Sequence, residues 1–282
     1  MASLKEVKGR IASVNNTRKI TSAMKMVASA KLHKAQAAIE NMLPYERRLN
    51  HILTNFLSAD SEVESPFIVK REVKRVAIVV FASNTSLCGG FNANIIRHLT
   101  VILDEYKSLG MENVLLYPVG RKVAEGVKKL GFKAEGDFQH QEAAALAEDL
   151  MRRFLHRDID KVELLYNHFR STAVQVLTRE TYLPIDLTQE KKEEDKGRIP
   201  DYIVEPSVDV VMGELLPKVL RMKMFTVLLD SNASEHAART MAMQIATDNA
   251  NDLLQDLTVM YNKSRQQAIT NELLDIVGGS MA

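Results

Sequence analysis

Tryptophan is absent, cysteine occurs once (Cys88), and no stretch approaches the roughly 18 consecutive apolar residues that a membrane-spanning helix needs. A lone cysteine excludes a disulfide framework or a cysteine-based zinc site within the chain, and fits a reducing compartment. The opening residues, MASLKEVKGRIASV, lack the apolar core of a secretory signal. Aromatics make up only 6% of the residues, and 12 glycines stand against 13 methionines. An enzyme domain of ordinary composition carries more of both, so a chain poor in them and rich in Ala, Met, Leu and Lys points to long helices with thin cores. A dominant charge is missing too: 37 Lys and Arg face 36 Asp and Glu. No polyelectrolyte role follows from that balance.

What is present falls into three parts. Residues 1–57 hold no strand signal, and residues 73–187 alternate short β-rich runs with helical segments. After a charged linker, 188–206, which contains TQEKKEEDKGRIP, helix formers return over 207–282.

Alternating steps of three and four from Leu4 pass through Val7, Ile11, Val14, Arg18, Thr21, Lys25, Ala28, Leu32, Ala35, Ile39, Met42, Glu46, Leu49, Leu53 and Phe56. All but Arg18, Thr21, Lys25 and Glu46 are apolar, which is a sustained coiled-coil seam. A helix this long reaches roughly 80 Å, beyond the diameter of a small domain. Pro44, lacking an N–H, should bend or interrupt it. The last part carries a matching but drifting stripe. Leu215, Val219, Met222, Leu229 and Ala233 share one phase; Met243, Ala246, Ala250, Leu253, Leu257 and Met260 a second; Ile269, Leu273 and Ile276 a third. Drift of this kind means that the seam moves around the helix as the partner ends or the supercoil relaxes. Two striped helices at opposite chain ends, with a compact domain between them, most simply pair antiparallel as a stalk.

The middle part predicts strands at Val76–Ala82, Val114–Val119, Val162–Phe169 and Ala173–Thr178. Helices are expected at Asn94–Leu109, Arg121–Leu130 and Glu142–His156. Strands separated by helices of this length favour a parallel, doubly wound, Rossmann-like sheet. Between the first strand and its helix lies SNTSLCGGFN, Ser83–Asn92. A glycine pair there invites a phosphate-binding reading, but the residues match neither G-x-G-x-x-G nor G-x-x-x-x-G-K-[ST]. Gly89 and Gly90 read instead as a structural turn with Asn92 or Asn94 as the helix cap, and Cys88 as a small buried residue. Histidines and carboxylates in HLTVILDEY and HQEAAALAED lack ligand spacing, so neither a metal nor any other cofactor is expected.

Three segments, IASVNNTRKITSAMKMVASAKL near the start, SLCGGFN in the middle, and ASEHAARTMAMQIATDNANDLL with YNKSRQQAITNELLDIVGG at the end, together resemble the gamma subunit of F-type ATP synthase, the central-stalk rotor. The resemblance spans essentially the whole chain. It implies a terminal antiparallel coiled coil inside a hexamer of three α and three β subunits, with the α/β domain below, near the epsilon subunit and the membrane c-ring. It implies a non-catalytic part that couples ion flow to ATP synthesis and regulates ATPase activity, at the cytoplasmic face of a bacterial membrane as a peripheral protein. It also implies partner contacts: Arg265 and Gln266 meeting loops of a β subunit, with Thr270 and Glu272 nearby. The loop departs from the family, which more often has Asp-Arg-Gly where Asn84, Thr85 and Ser86 stand here.

Residues 1–35 hold eight Lys or Arg and one Glu. No aromatics interleave and no nucleic-acid reader fold follows, so this reads as a solvated or partner-facing helix side, not a nucleic-acid footprint; the resemblance supplies acidic segments of the catalytic ring as the partner. The polar seam positions Arg18, Thr21 and Lys25, with Met24 among them, leave two readings open. Either the partner helix drifts off this face, or the polar stretch serves something other than pairing, and the resemblance places it against the catalytic subunits. A free-standing α/β enzyme with helical arms would need a convergent nucleophile, base and anion site, and none emerges. A scaffold unrelated to the motor would explain the stripes but not the three segments.

Overall fold

The structure is a computed structural model that describes residues 3–58, 65–136, 142–185, 205 and 207–280. The expected charged linker lies almost wholly outside the described residues. Two helices dominate: α1, Leu4–Ser58, and α5, Val208–Ser280, of 55 and 73 residues. At 1.5 Å per residue they reach roughly 80 and 110 Å. Neither stops at its internal proline, Pro44 or Pro217. A proline removes one donor from the ladder, and the seam packed on either side outweighs that loss, so the expected interruption at Pro44 does not occur.

From Leu4 to Leu53 every position on the three-four seam of α1 is buried or half-buried, as the heptad requires. The partner is α5, running antiparallel: Arg18 Nη1 donates to Asn251 Oδ1 at 3.3 Å and the Thr21 and Thr247 hydroxyls meet at 2.8 Å. Each threonine hydroxyl also lies within reach of a carbonyl of its own helix, Arg18 O and Met243 O, so the polar layer is satisfied without water. The partner therefore stays on this face through the polar stretch. On α5 the seam uses Met243, Ala250, Leu254, Leu257 and Tyr261, while Leu253 and Met260 are exposed. The second expected phase thus holds at Met243, Ala250 and Leu257 and is one residue off at Leu253 and Met260, because the seam steps by four and then three from Met243 through Thr247, Ala250, Leu254 and Leu257 to Tyr261. Past Ala268, α5 has outrun the start of α1. Ile269, Leu273 and Ile276, the third expected phase, are 49, 57 and 67% exposed.

The α/β domain contains β1 (Val76–Phe81), α2 (Phe91–Glu105), β2 (Val114–Val119), α3 (Arg121–Lys129), α4 (Ala143–Leu155), β3 (Lys161–Phe169) and β4 (Gln175–Leu183). The sheet order is β2-β1-β3-β4, with β1 parallel to both neighbours and β4 antiparallel to β3. The expectation of a parallel sheet fails at β4, because the link from β3 is a tight turn at 170–174, too short for a crossover. On one face Val76, Ile78 and Val80 pack with Ile95, Leu99 and Ile102 of α2 and Val123 and Val127 of α3. On the other face Ala77, Val79 and Phe81 pack with Leu146, Leu150 and Phe154 of α4, Leu49 and Leu53 of α1, and the stretch of α5 from Met212 to Leu228. The shaft therefore forms part of the domain's second layer and is not an appendage to it.

A charged network ties β4 into the first layer. Glu163, 3% exposed, accepts from Arg179 Nε at 2.9 Å, Arg179 Nη2 at 3.1 Å and Tyr106 OH at 2.8 Å, and pairs with Lys161 Nζ at 2.7 Å. Burial alone would raise the Glu163 carboxyl; the bonds from Arg179, Lys161 and Tyr106 outweigh it and hold the group below its usual value. A carboxylate held low stabilises the fold above the ordinary carboxylate range, and that stabilisation disappears as pH falls through the depressed value. Glu163→Gln is therefore expected to melt well below the parent at neutral pH, by about 3 kcal/mol for an ion pair broken on one side. Thermal melting followed across pH should show the two proteins converging in acid; a difference that stays constant with pH would exclude this origin.

Candidate functional site

The chemistry-bearing side chains of this chain gather at the joint between the α/β domain and α5. The loop after β1 turns back on itself at Leu87 (φ 68°) and Gly89 (φ 60°). Gly89 suits this left-handed backbone, where the loop meets the shaft: Ala242 Cβ of α5 lies 3.8 Å from where a Cβ would stand, an ordinary contact. Gly90 caps α2 without any side-chain cap bond. Asn92 and Asn94, the two expected caps, both lie within the helix, and Asn92 ties the loop together. Its Oδ1 accepts from Ser83 N at 3.1 Å, and its Nδ2 lies 3.2 Å from the buried Cys88 Sγ.

Thr85 and Ser86, where the resemblance expected charge and glycine, turn their carbonyls toward α5. Arg239 donates to Ser86 O, and its Nη2 to Thr85 Oγ1 at 2.9 Å and Thr85 O at 3.3 Å. One turn earlier Glu235 accepts from the same guanidinium at 2.7 Å, both side chains being 11% exposed. Asn84 Oδ1 accepts from Arg121 N at 3.0 Å and so holds the loop to α3. At the next strand Gly120 (φ 112°) allows the close approach, since a Cβ there would fall 2.1 Å from Ala82 O.

Further bonds continue this joint down the shaft. Asp230 of α5 accepts from Phe169 N at 2.8 Å and meets His168 Nδ1 at 2.5 Å. Ser234 Oγ donates to Asn167 O at 2.8 Å. Lower down, Lys223 pairs with Glu180 at 3.2 Å and Arg221 with Glu148 at 3.1 Å. The phenol of Tyr182, kept protonated because burial pushes its pKa up, donates to Leu220 O at 2.9 Å. Tyr182 sits in the bulge between the Val162–Leu183 and Glu163–Thr181 pairs near the start of β3, and Phe169 ends that strand. β3 therefore runs alongside α5 in the same direction for roughly 20 Å, strand rise against helix rise. The domain is therefore fixed to α5 by bonds spread along that length, none of which carries the joint alone.

The residues singled out from the sequence occupy three separate places. Arg18, Met24 and Lys25 are half-buried on α1 opposite α5, where Arg18 is already bonded to Asn251. Arg265, Gln266, Thr270 and Glu272 are exposed near the bare end of α5, with Thr270 Oγ1 donating to Gln266 O at 2.9 Å. Cys88, Gly89 and Gly90 lie in the joint. Sequence reasoning missed Arg239, Glu235 and Asp230. An acid-base pair one turn apart within the alanine-rich ASEHAARTMA was the available signal, since charges on an otherwise small-residue face need a partner when buried. Among the described residues no group of His, Cys, Asp and Glu could hold a metal ion.

Comparison with known proteins agrees with this geometry. The ATP synthase family model matches residues 3–282. The ATP synthase gamma chain of Phocaeicola vulgatus is 98% identical, covering 100% of both chains, and that of Parabacteroides distasonis is 50% identical, covering 99% of both. Among solved structures, a chain of the Euglena gracilis mitochondrial ATP synthase (OSCP/F1/c-ring, rotational state 3) superposes with a TM-score of 0.67 at 20% identity. The match covers 99% of this chain and 93% of that one, a likeness of fold.

Removing the Arg239 side chain would leave Glu235 buried and unpaired and release the loop. Arg239→Ala should therefore cost about 3 kcal/mol and speed hydrogen exchange at the amides of residues 84–92, while α1 amides near Thr21 keep their protection. Unchanged exchange in the loop would mean that Arg239 does not hold it. ATP or ADP titrated onto the chain should show no saturable micromolar binding at Gly89 and Gly90, because the loop carbonyls and Ala242 stand where a phosphate would need free N–H donors.

Proposed function

Because the chain belongs to the ATP synthase gamma-chain family, we propose that it works as a lever fixed at one end and bare at the other: the rotor of the central stalk. The membrane ring turns the α/β domain, the bonded joint passes the torque to α5, and the coiled coil carries it into the hexamer of α and β subunits. The catalytic sites and their nucleotides belong to those subunits, and this chain contributes no reacting group. It acts at the cytoplasmic face of a bacterial membrane as a peripheral part, beside an epsilon subunit; no helix among the described residues is long and apolar enough to cross a bilayer.

The observation that carries the reading is the far end of α5. Beyond Ala268 a helix of about a dozen residues stands free of α1 with Ile269, Leu273, Leu274 and Ile276 about half to two-thirds exposed. An isolated helix of that length is marginal in water, and a row of exposed apolar side chains on it calls for a surrounding protein surface. A shaft that touched three catalytic sites identically would shift none of them, so the contact must differ around its circumference. This shaft meets that condition. Before Ala35, α1 presents Lys5, Lys8, Lys19 and Lys31, whereas the paired stretch of α5 presents Asp248, Asp252 and Asp256. Arg18, Met24, Lys25, Arg265, Gln266, Thr270 and Glu272 are the residues we assign to the partner surface.

Purification through a tag on this chain should bring down three copies each of two larger nucleotide-binding subunits; a homo-oligomer would defeat the reading. Within that complex, Arg265→Ala with Gln266→Ala should leave helix content unchanged, since alanine is the best helix former. Two contacts to the ring would be lost, each worth about 1.5 to 3 kcal/mol when charge-assisted. Rotation-coupled turnover should fall while assembly survives. Arg18→Leu with Lys25→Leu separates fold from function differently. The free chain should melt as high or higher, because long apolar side chains replace charges at a seam, while ATP-driven pumping by the reconstituted complex drops. Lower melting would assign both cations to the fold.

A further inference from the structure

Both long helices contain a proline, but the two prolines stand in different settings. One helical turn before Pro44 of α1 lies Glu40; one turn before Pro217 of α5 lies Gly213. An α-helix needs the N–H of residue 217 to bond the carbonyl of residue 213, and proline has none to give. The carbonyl left over belongs to a glycine, whose backbone is the freest to turn aside. Packing does not require glycine at this position, since a Cβ on Gly213 would meet nothing within 4 Å. The two poorest helix formers therefore occupy the two ends of a single backbone bond.

The turns below that bond are built as a unit of their own. Ser207 caps them: its Oγ accepts from Val210 N at 3.4 Å and its carbonyl from Val211 N at 3.2 Å. Met212, Leu215 and Leu216, all buried, hold them to the domain core by apolar packing, which is non-directional. The directional bonds that fix α5 to the domain begin above the break, with Tyr182 to Leu220 O, Arg221 to Glu148 and Lys223 to Glu180. On the outer side Val210, Val211, Glu214 and Lys218 line an open cleft of about 220 Å³, which leaves room for movement. Lys218 and Glu214 pair across the break at 3.4 Å, and a pair so exposed resists bending little.

We propose that Gly213 and Pro217 make a hinge at the base of the shaft. Residues 208–216 bend about it as one body, while α5 from Leu220 onward stays fixed to the sheet. The hinge separates the chain entering α5 from the joint: a force on that chain bends the base and leaves the bonds at Leu220, Arg221 and Lys223 unstrained. In the rotor reading above, on which this use of the hinge rests, a sideways force at the driven end is taken up here. It does not tilt the shaft inside the hexamer. Pro44 makes no such hinge, because Glu40 keeps an ordinary side chain and ordinary helical backbone where α5 has glycine.

Hydrogen exchange in the full chain tests the hinge. After correction for intrinsic rates, amides of 210–216 should open together and exchange about tenfold faster than those of 222–230, with a step at Pro217. Gly213→Ala with Pro217→Ala restores a complete ladder. The step should then vanish and the chain should melt higher, which shows that the variant is folded. Gly213→Ala alone, which removes no side chain, should already narrow the step. A rate that falls smoothly from Ser207 inward is ordinary end fraying and overturns the proposal, as does a step that neither variant moves. In the complex reconstituted with the membrane ring, the double variant should lose pumping rate, while ATP hydrolysis by the assembly without the ring is unchanged. Equal pumping overturns the use assigned to the hinge. Failure of this chain to bring down the larger subunits would sink the rotor reading and leave the exchange step standing, a separate result.

Discussion

The antiparallel seam between α1 and α5 is the constraint on which everything else rests. Neither helix could persist alone in water at this length with one apolar stripe uncovered, and each supplies the cover for the other. The seam also explains why each end of the chain is one long helix while the middle folds as short strands and helices. The α/β domain has to sit where α1 ends and α5 begins, and the second layer of its sheet is made partly from Leu49, Leu53 and the stretch of α5 from Met212 to Leu228. Shaft and domain therefore share one core.

That sharing decides what the C-terminal edge of the sheet can do. In doubly wound folds this edge is where ligands are commonly held, at the mouth of the loops that follow the strands. Here the edge is spent on α5: Arg239 takes up the carbonyls of the glycine-containing loop, Asp230 and Ser234 take up the end of β3, and Ala242 meets Gly89. The same residues that would have made a nucleotide enzyme plausible make a mechanical joint. The glycine pair has a physical reason for its presence, a left-handed turn pressed against a helix of small residues, and that reason does not involve a phosphate.

The polar layer at Arg18 and Thr21 is a second place where an apparent flaw has a structural use. Threonine hydroxyls facing each other at 2.8 Å, each also within reach of its own helix backbone, cost little burial energy and keep the helices paired where Leu or Ile would pack them more tightly. Arg18 reaches Asn251 and Asn15, leaving its stem along the seam and its head near solvent.

How much of this was legible depended on the range of the interaction. The seam of α1, the runs that became β1, β2 and β3, and the turn at Gly89 are local matters of period and backbone freedom, and the sequence by itself determined them. The register of α5 was legible only in part: Leu253 and Met260 looked apolar enough for the seam, but it steps by four and three through Met243, Thr247, Ala250, Leu254, Leu257 and Tyr261, and which of two equally regular stripes through Met243, Ala250 and Leu257 is covered depends on where α1 lies. The direction of β4 depended on the length of one turn, and the continuity of α1 through Pro44 on packing from outside the helix. Arg239, Glu235 and Asp230 were hidden for the same reason. A buried charge on a helix shows its role only through the group it meets: Glu235 meets Arg239 one turn on, but Arg239 and Asp230 meet Thr85, Ser86 and Phe169, sixty or more positions away. The tertiary structure alone decided those partners, because burial makes a charge seek whatever acceptor or donor the fold brings beside it, and the sequence records the charge without its neighbour.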